Sequence, residues 1–228
     1  MFYVAGGRVV GDPLAQPFSM GRNLFCVHSK KYIDTEEDPD EKSAMSKQNR
    51  RTLTEMSKAI KAGGTLIWIA PSGGRDRLQS TPKGERPVPA AFDPDAVEMF
   101  RSISSKANKP THFYPMAMAT YSIMPPPSGI NKALGEKRVT KFTGCAISLA
   151  PRVDFSDDAA WRPAAEEGAD AKAMAAKSKV ALCDHVFGQV CEEYEMIEKV
   201  MADLPFMGYK DQHVEGFVPP KGEQPWKH

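Results

Sequence analysis

Two arginines stand directly after a short apolar stretch within residues 65–77, TLIWIAPSGGRDR. The guanidiniums of Arg75 and Arg77 each offer a planar pair of N–H donors, which suits an anion with several oxygen atoms. The apolar residues before them end in a Pro-Ser-Gly-Gly turn, a pattern typical of a strand that is buried on both faces. The sequence therefore predicts an anion site at a strand end. The alternative is a pair of solvated arginines held by Asp76 and Asp93.

Two lysines follow another candidate strand earlier in the chain. Residues 23–28, NLFCVH, form an apolar stretch, and Lys30 and Lys31 come immediately after it. A helix is predicted over residues 42–62, so the order strand, helix, strand indicates a parallel crossover unit. We expect the two strands to be neighbours, with Lys31 and the two arginines in one pocket at their carboxyl ends. A solvated loop after the first strand is the alternative.

The rest of the chain predicts the elements that surround these two strands. The helix over residues 42–62 carries an apolar stripe at Leu53, Met56 and Ile60, and it ends at a Gly-Gly pair. Further strands are predicted at 2–5, 8–10, 111–119 and 139–149, a helix at 96–107, and irregular connections at 13–22, 29–32, 34–41 and 78–92. A long final helix has the apolar stripe Val180, Cys183, Phe187, Val190, Tyr194, Ile197 and Met201.

We expect this last stripe to pack on the sheet, and a contact with a partner chain is the alternative. Together the elements predict an α/β fold with a largely parallel or mixed sheet flanked by helices. The predicted domain covers residues 1–204, and residues 205–228 are predicted to form a mobile tail.

The composition excludes several kinds of function. The formal net charge is +1, which provides no extended basic surface for nucleic acid, and the mean hydropathy of −0.43 predicts no transmembrane segment. No P-loop and no nucleophile elbow occurs in the sequence. We therefore predict no cofactor and no metal. Four cysteines show no metal-ligand spacing and are predicted to be buried free thiols in a reducing compartment: Cys26, Cys145, Cys183 and Cys191.

Five segments carry a resemblance to a known family. They are YVAGGRVVGDPL at 3–14, PFSMGRNLFCVHSKKY at 17–32, LIWIAPSGGRDR at 66–77, SIMPPPS at 122–128 and GEKRV at 135–139. In this order they resemble the soluble plastid glycerol-3-phosphate 1-acyltransferases of plants and algae. The resemblance implies that a fatty acyl group moves from acyl carrier protein or acyl-CoA to the sn-1 hydroxyl of glycerol 3-phosphate, giving lysophosphatidic acid in the plastid stroma.

The resemblance also implies which residues bind the substrate phosphate. The family's lysine and two arginines correspond to Lys31, Arg75 and Arg77, the same residues that the predicted strand order brings together. The family's histidine corresponds to Tyr32, whose phenol can donate a hydrogen bond but brings no positive charge. Gly7 stands where the family usually has Asp.

The family's catalytic motif, HxxxxD, does not occur in these 228 residues. In that motif the Asp orients a His that removes the proton from the attacking hydroxyl. General-base catalysis contributes about 10²–10⁴-fold, so we expect little or no acyl transfer from this chain alone.

Three interpretations of the chain follow. The first is the C-terminal part of an active acyltransferase, because the first strand begins immediately at Met1. The second is a non-catalytic relative that binds glycerol phosphate or acyl carrier protein. The third is a protein that binds another phosphometabolite or nucleic acid.

Overall fold

The computed structural model describes residues 1–11, 16–21, 23–73, 76, 78–82, 84–121, 123, 125, 144–164 and 170–202. Its elements are β1 (Phe2–Gly6), α1 (Arg8–Gly11), α2 (Gln16–Met20), β2 (Leu24–Val27), α3 (Lys30–Thr35), α4 (Pro39–Ala62), β3 (Ile67–Trp68), β4 (Leu78–Thr81), β5 (Gly84–Pro87), α5 (Pro94–Ser105), β6 (Met116–Ala119), β7 (Ala146–Leu149) and α6 (Ala171–Ala202). This mixture confirms the α/β class. The predicted tail at 205–228 lies outside the described residues.

The first three strands form a parallel sheet in the order β2-β1-β3. Tyr3 in β1 is paired with Leu24 on one side and with Trp68 on the other. The prediction that β2 and β3 are neighbours is therefore wrong, because β1 lies between them. Adjacent strands are about 4.8 Å apart, which separates β2 from β3 by roughly 10 Å. All three strands still run in the same direction and end at the same edge.

The third strand is shorter and more exposed than its sequence predicts. β3 contains two residues, and the preceding Leu66 is 62% exposed. Ile67 and Trp68 are half-buried. The prediction of burial on both faces is therefore wrong: β3 is one of the two edge strands of this sheet, and neither of its residues is fully buried.

Helices α4 and α5 contribute the core beside the parallel sheet. Met56 of α4 is fully buried and forms a hydrophobic cluster with Phe25 of β2 and Phe100 of α5. The apolar stripe predicted for α4 is confirmed, since Ile60 is buried and Leu53 packs against the same cluster. The helix begins at an Asp cap followed by Pro39, and it ends at a glycine with φ of 79°.

The second half of the structure is organised around α6, a helix of 32 residues. It packs on the antiparallel pair β6-β7, so the predicted contact between the last helix and a sheet is confirmed. The cluster on this side contains Ala117, Val190, Tyr194, Ile197 and Met201. Leu182 and Cys183 are buried in a neighbouring cluster with Val97 and Val153. Val180 is 45% exposed, so its place in the predicted stripe is wrong.

Several connections predicted to be irregular or extended contain regular structure. Residues 8–10, predicted as a strand, form helix α1, because the chain leaves the sheet at Gly7 despite the high strand propensity of valine. The predicted loops at 13–22 and 29–32 contain α2 and the start of α3, and α3 and α4 both extend into 34–41. Residues 78–92 contain the hairpin β4-β5, whose turn uses Gly84 at φ of 95°.

The described residues form three small sheets in place of the single sheet that was predicted. The cysteines are free, as predicted, and Cys183 is buried. Cys145 is exposed, so the prediction of burial is wrong there. No helix in the described ranges is long and apolar enough to cross a membrane.

Candidate functional site

The carboxyl ends of the three parallel strands form the candidate site, which we call the strand edge. Gly6 of β1 is paired with Val27 of β2, whereas the pairing of β1 with β3 ends at Tyr3 and Trp68, shortly before the turn that begins at Pro71. Backbone segments that leave parallel strands at a common edge often form ligand sites. Here the segments are the start of α1, the start of α3 and the turn at residues 71–73.

Helix α4 holds the end of β2 through polar side chains. The Asn49 amide donates from Nδ2 to His28 O at 2.8 Å, and its Oδ1 accepts from the His28 N–H, also at 2.8 Å. Thr52 Oγ1 donates to Cys26 O at 2.9 Å. These three bonds fix the backbone immediately before α3. They therefore determine the position from which residues 30–32 leave the sheet.

Gly7 allows β1 and β2 to end close together. A Cβ atom at this position would lie 3.2 Å from His28 Cε1 and 3.6 Å from His28 Nδ1. The imidazole therefore occupies the space that a side chain at position 7 would need. Its Nε2 lies 3.1 Å from Gln48 Oε1, so α4 orients the ring as well as the backbone of this residue.

The turn after β3 is held against the start of α5. Gly73 has φ of 74° and donates its N–H to Ala70 O at 2.9 Å, which closes the Pro-Ser-Gly turn. The Asp93 N–H donates to Pro71 O at 3.1 Å. Asp93 is also the N-cap of α5, accepting from the Asp95 N–H at 2.9 Å. The position of this turn is thereby coupled to that of α5.

The same helix end contacts the start of α3. Lys30 Nζ lies 3.6 Å from one oxygen of Asp95, and Lys179 Nζ of α6 lies 2.6 Å from the other oxygen. The Lys179 ammonium, and more weakly that of Lys30, lowers the pKa of Asp95 below its usual value. The first turn of α5 therefore joins both segments that carry the predicted basic residues.

The acidic residue between the two arginines has its own backbone partner. Asp76 Oδ1 accepts from the Ala90 N–H at 2.9 Å. Partial desolvation raises the pKa of the Asp76 carboxyl, while the bond from Ala90 acts in the opposite direction. In both acidic residues proposed to hold the arginines, Asp76 and Asp93, one carboxylate oxygen accepts a backbone N–H. The remaining capacity of these carboxylates for ion pairing is correspondingly smaller.

The structure places the predicted site residues as follows. The backbone of Lys31 and Tyr32 lies in the first turn of α3, next to the strand edge, and their side chains are outside the described part of the chain. Arg75 and Arg77 also lie outside the described residues, on either side of Asp76. Their grouping in one pocket stays a prediction. Each of the two segments that carry them has a described contact with the start of α5.

The sequence interpretation missed the supporting residues of α4. Asn49 and Thr52 continue the stripe of Leu53, Met56 and Ile60 toward the start of the helix, and this spacing places them on the side that faces β2. A polar extension of an apolar stripe was the available signal.

Comparison with curated proteins identifies relatives over most of the chain. The chain is 41% identical to the chloroplastic glycerol-3-phosphate acyltransferase of Arabidopsis thaliana, over 87% of this chain and 40% of the relative. It is 44% identical to the enzyme of the same name from Spinacia oleracea, over 69% of this chain and 32% of the relative. This chain is a homologue of the chloroplastic glycerol-3-phosphate acyltransferases.

A third glycerol-3-phosphate acyltransferase, ATS11 from Cucurbita moschata, is 43% identical over 80% of the chain. The resemblance stated from sequence motifs is therefore confirmed. The chain spans about two-fifths of the length of most of these curated acyltransferases. No family model matches the chain.

Proposed function

We propose that this chain provides the glycerol 3-phosphate pocket of a plastid acyltransferase. The supporting observation is that two basic segments leave one edge of a parallel sheet in a homologue of chloroplastic glycerol-3-phosphate acyltransferases. Lys31, Arg75 and Arg77 would hold the phosphate, and the phenol of Tyr32 would donate a further hydrogen bond. We propose the plastid stroma as the location, because the relatives are named chloroplastic.

The proposed reaction transfers an acyl group from a thioester to an alcohol. The sn-1 hydroxyl oxygen of glycerol 3-phosphate attacks the thioester carbonyl of acyl carrier protein or acyl-CoA and loses its proton. The bond between carbon and sulfur then breaks, which releases the thiol and gives lysophosphatidic acid. In this proposal the strand edge binds and orients the acceptor, and holding the acceptor lowers the entropic cost of reaction.

Calorimetry with glycerol 3-phosphate tests the proposed pocket. We expect Arg75→Ala and Arg77→Ala each to weaken binding by roughly 1.5–3 kcal/mol, the contribution of a hydrogen bond to a charged group. Arg51→Ala, an exposed arginine of α4, serves as the matched control and should leave the affinity unchanged. If both turn variants bind glycerol 3-phosphate as tightly as the unmodified chain, the site is elsewhere.

A non-catalytic binding role is the second candidate, favoured by the lack of HxxxxD in these 228 residues. An acyl-transfer assay on this chain, with glycerol 3-phosphate and either acyl-CoA or acyl carrier protein, separates binding from chemistry. We expect binding of the acceptor without measurable transfer, since no family general base is present in this sequence. Transfer that depends on Arg75 would show that another residue of the chain acts as the base.

A further inference from the structure

A groove between α5, α6 and the segment 152–162 is separate from the residues proposed for phosphate binding at the strand edge. Two adjoining cavities of about 240 and 250 Å³ form it, and both have Arg101 and Arg162 in their walls. We call it the basic groove. Its lining includes a third cation, Lys179, against one carboxylate, Glu98. Each cation has a carboxylate nearby, Glu98 for Arg101, Asp157 for Arg162 and Asp95 for Lys179, but only Glu98 lines the groove. The groove wall itself therefore carries more cations than carboxylates, which favours an anionic ligand.

The two arginines of the basic groove are held along one edge only. Arg101 donates from Nε and Nη2 to the Glu98 carboxylate at 2.7 and 2.5 Å. Arg162 donates from Nε to Ser156 O at 2.7 Å and from Nη2 to Phe155 O at 3.0 Å, and its Nη2 also lies 3.7 Å from Oδ1 of the exposed Asp157. Among the described residues, Nη1 of each guanidinium has no hydrogen-bond acceptor. Two oriented guanidiniums with available donors can bind a ligand with little further loss of side-chain entropy.

The other walls of the groove determine which anion fits. Hydroxyl groups come from Ser104, Thr111 and Ser178, and aromatic surface comes from Phe113, Phe155 and Trp161. The guanidinium carbon of Arg162 lies 4.8 Å from the centre of the Trp161 ring, which fixes this arginine against an apolar wall. Guanidinium and hydroxyl donors suit a phosphate, and the aromatic rings suit an apolar arm attached to it. A phosphate ester of an amphipathic chain satisfies both.

The groove adjoins the strand edge through a shared ion-pair system. Lys179 lines the groove and contacts Asp95, which also contacts Lys30 at the start of α3. This ion-pair system therefore runs from the groove wall to the start of α3. An extended ligand with its phosphate in the groove can therefore direct its other end toward the strand edge.

We propose that the basic groove binds the phosphate of a phosphopantetheine arm, the group that acyl-CoA and acyl carrier protein have in common. The inference rests on the proposed function, since it assigns the groove to the acyl donor and the strand edge to the acceptor. Nη1 of Arg101 and of Arg162 contacts the phosphate, and the aromatic wall contacts the pantetheine chain. The two substrates thus bind on either side of the Lys30–Asp95–Lys179 system.

Calorimetry with 4′-phosphopantetheine tests the proposal on the 228-residue chain. We expect Arg101→Gln and Arg162→Gln each to lower the affinity about 10-fold or more, the equivalent of one charge-assisted hydrogen bond. Arg51→Gln on the exposed surface of α4 is the matched control and should change nothing. Pantetheine, which lacks the phosphate, should bind the unmodified chain and the variants equally weakly. Arg162→Gln removes the bonds to the backbone of residues 155 and 156 and could disturb the fold there. Arg101 lies on a helix surface, so Arg101→Gln should fold and keeps the test valid.

The remaining measurements separate the possible outcomes. Unchanged affinity for phosphopantetheine in both variants, or equal affinity for pantetheine and phosphopantetheine, overturns the proposal. Coenzyme A and the holo and apo forms of acyl carrier protein, tested with Arg101→Gln, show which carrier brings the phosphate. Glycerol 3-phosphate is titrated on the same samples. If the chain binds glycerol 3-phosphate but does not bind phosphopantetheine, the proposal for the groove is refuted and the proposed function is not. If it binds phosphopantetheine but does not bind glycerol 3-phosphate, the groove is supported and the proposed function is refuted.

Discussion

The parallel sheet and the α6 region are held together in different ways. Around α6, buried apolar residues such as Leu182 and Ile197 form the contact, and polar side chains link separate elements: Arg86 with Glu198 and Ser148 with Glu193. At the parallel sheet, the apolar cluster has three buried residues, Phe25, Met56 and Phe100, and partly buried strand residues pack against it. Its carboxyl edge is instead fixed by side chains that bind backbone atoms.

This difference separates stability from binding. Changes at the buried residues of the α6 region should affect the free energy of unfolding and leave the affinity for glycerol 3-phosphate unchanged, because no described contact joins these residues to the strand edge. Changes beside the parallel sheet should affect both unfolding and the affinity for glycerol 3-phosphate. The following experiments test this distinction, beginning with the largest expected effect.

Truncation of one fully buried residue in each region provides the strongest test. Leu182 is 1% exposed and Met56 is 0% exposed. We expect Leu182→Ala and Met56→Ala each to lower the free energy of unfolding by about 2–5 kcal/mol, because each creates a cavity. Urea denaturation measures this loss. Calorimetry on the folded variants should show weaker glycerol 3-phosphate binding for Met56→Ala only; an equal effect of both would contradict the distinction.

Removal of the Asn49 amide should lower the free energy of unfolding by less than these truncations do, and it should also weaken the binding of glycerol 3-phosphate. Asn49→Ala leaves the N–H and C=O of His28 without their partner, at a cost of about 1–3 kcal/mol for partly buried groups. The start of α3 should also lose its fixed position, which weakens glycerol 3-phosphate binding. Thr54→Ala is the control, since its hydroxyl bonds to the carbonyl of residue 50 within the same exposed helix. Unchanged affinity in Asn49→Ala would show that this clamp does not position the site.

The smallest effect concerns Tyr194 in the α6 region and appears at high pH. Its hydroxyl donates to Pro87 O at 3.1 Å, and burial, followed by the charge of Glu198, raises its pKa to about 12. An unfolded tyrosine has a pKa of about 10, so the folded state binds this proton more tightly. The stabilisation is complete below about pH 10 and is lost as the pH rises toward 12.

Tyr194→Phe should therefore cost about 0.5–1.5 kcal/mol at neutral pH and remove part of the loss of stability above pH 10. Thermal unfolding between pH 8 and 12 measures both effects. Tyr114→Phe, at a residue that is 56% exposed, is the control. A pH dependence unaltered by Tyr194→Phe would refute this assignment. Glycerol 3-phosphate binding at neutral pH should be the same in all three proteins.

Local patterns predicted the longest helices and the second strand correctly, but residues 8–10, predicted as a strand, form helix α1. The stripe of Leu53, Met56 and Ile60 with the following glycine pair predicted α4, and the short apolar stretch at 23–28 predicted β2. The strand order was predicted wrongly, because β1 pairs on both sides through contacts between residues far apart in sequence. No local pattern reveals which strand occupies the centre of a sheet.

The sequence predicted the charged residues of the candidate site, but it did not predict the residues that hold the strand edge in position. Lys31, Arg75 and Arg77 stand out by type and position after strands, and Tyr32 was added through the family resemblance alone. Asn49 acts through two hydrogen bonds to a residue 21 positions earlier in the chain. Its place on the extended stripe of α4 indicates the side of the helix that it occupies, but not this partner. The joint role of Asp93 and Asp95 likewise depends on where α5 begins in space relative to α3 and β3.

The central position of β1 also has a consequence for how the chain folds. Tyr3 pairs with Leu24, 21 residues later, and with Trp68, 65 residues later. Closing the longer loop costs about 1 kcal/mol more in chain entropy than closing the shorter one. The pairing of β1 with β2 should therefore form first, and β3 should join a two-stranded template. During synthesis β1 cannot pair with β3 until residue 68 has been added to the chain. The turn at residues 71–73 is therefore among the last parts of the strand edge to form.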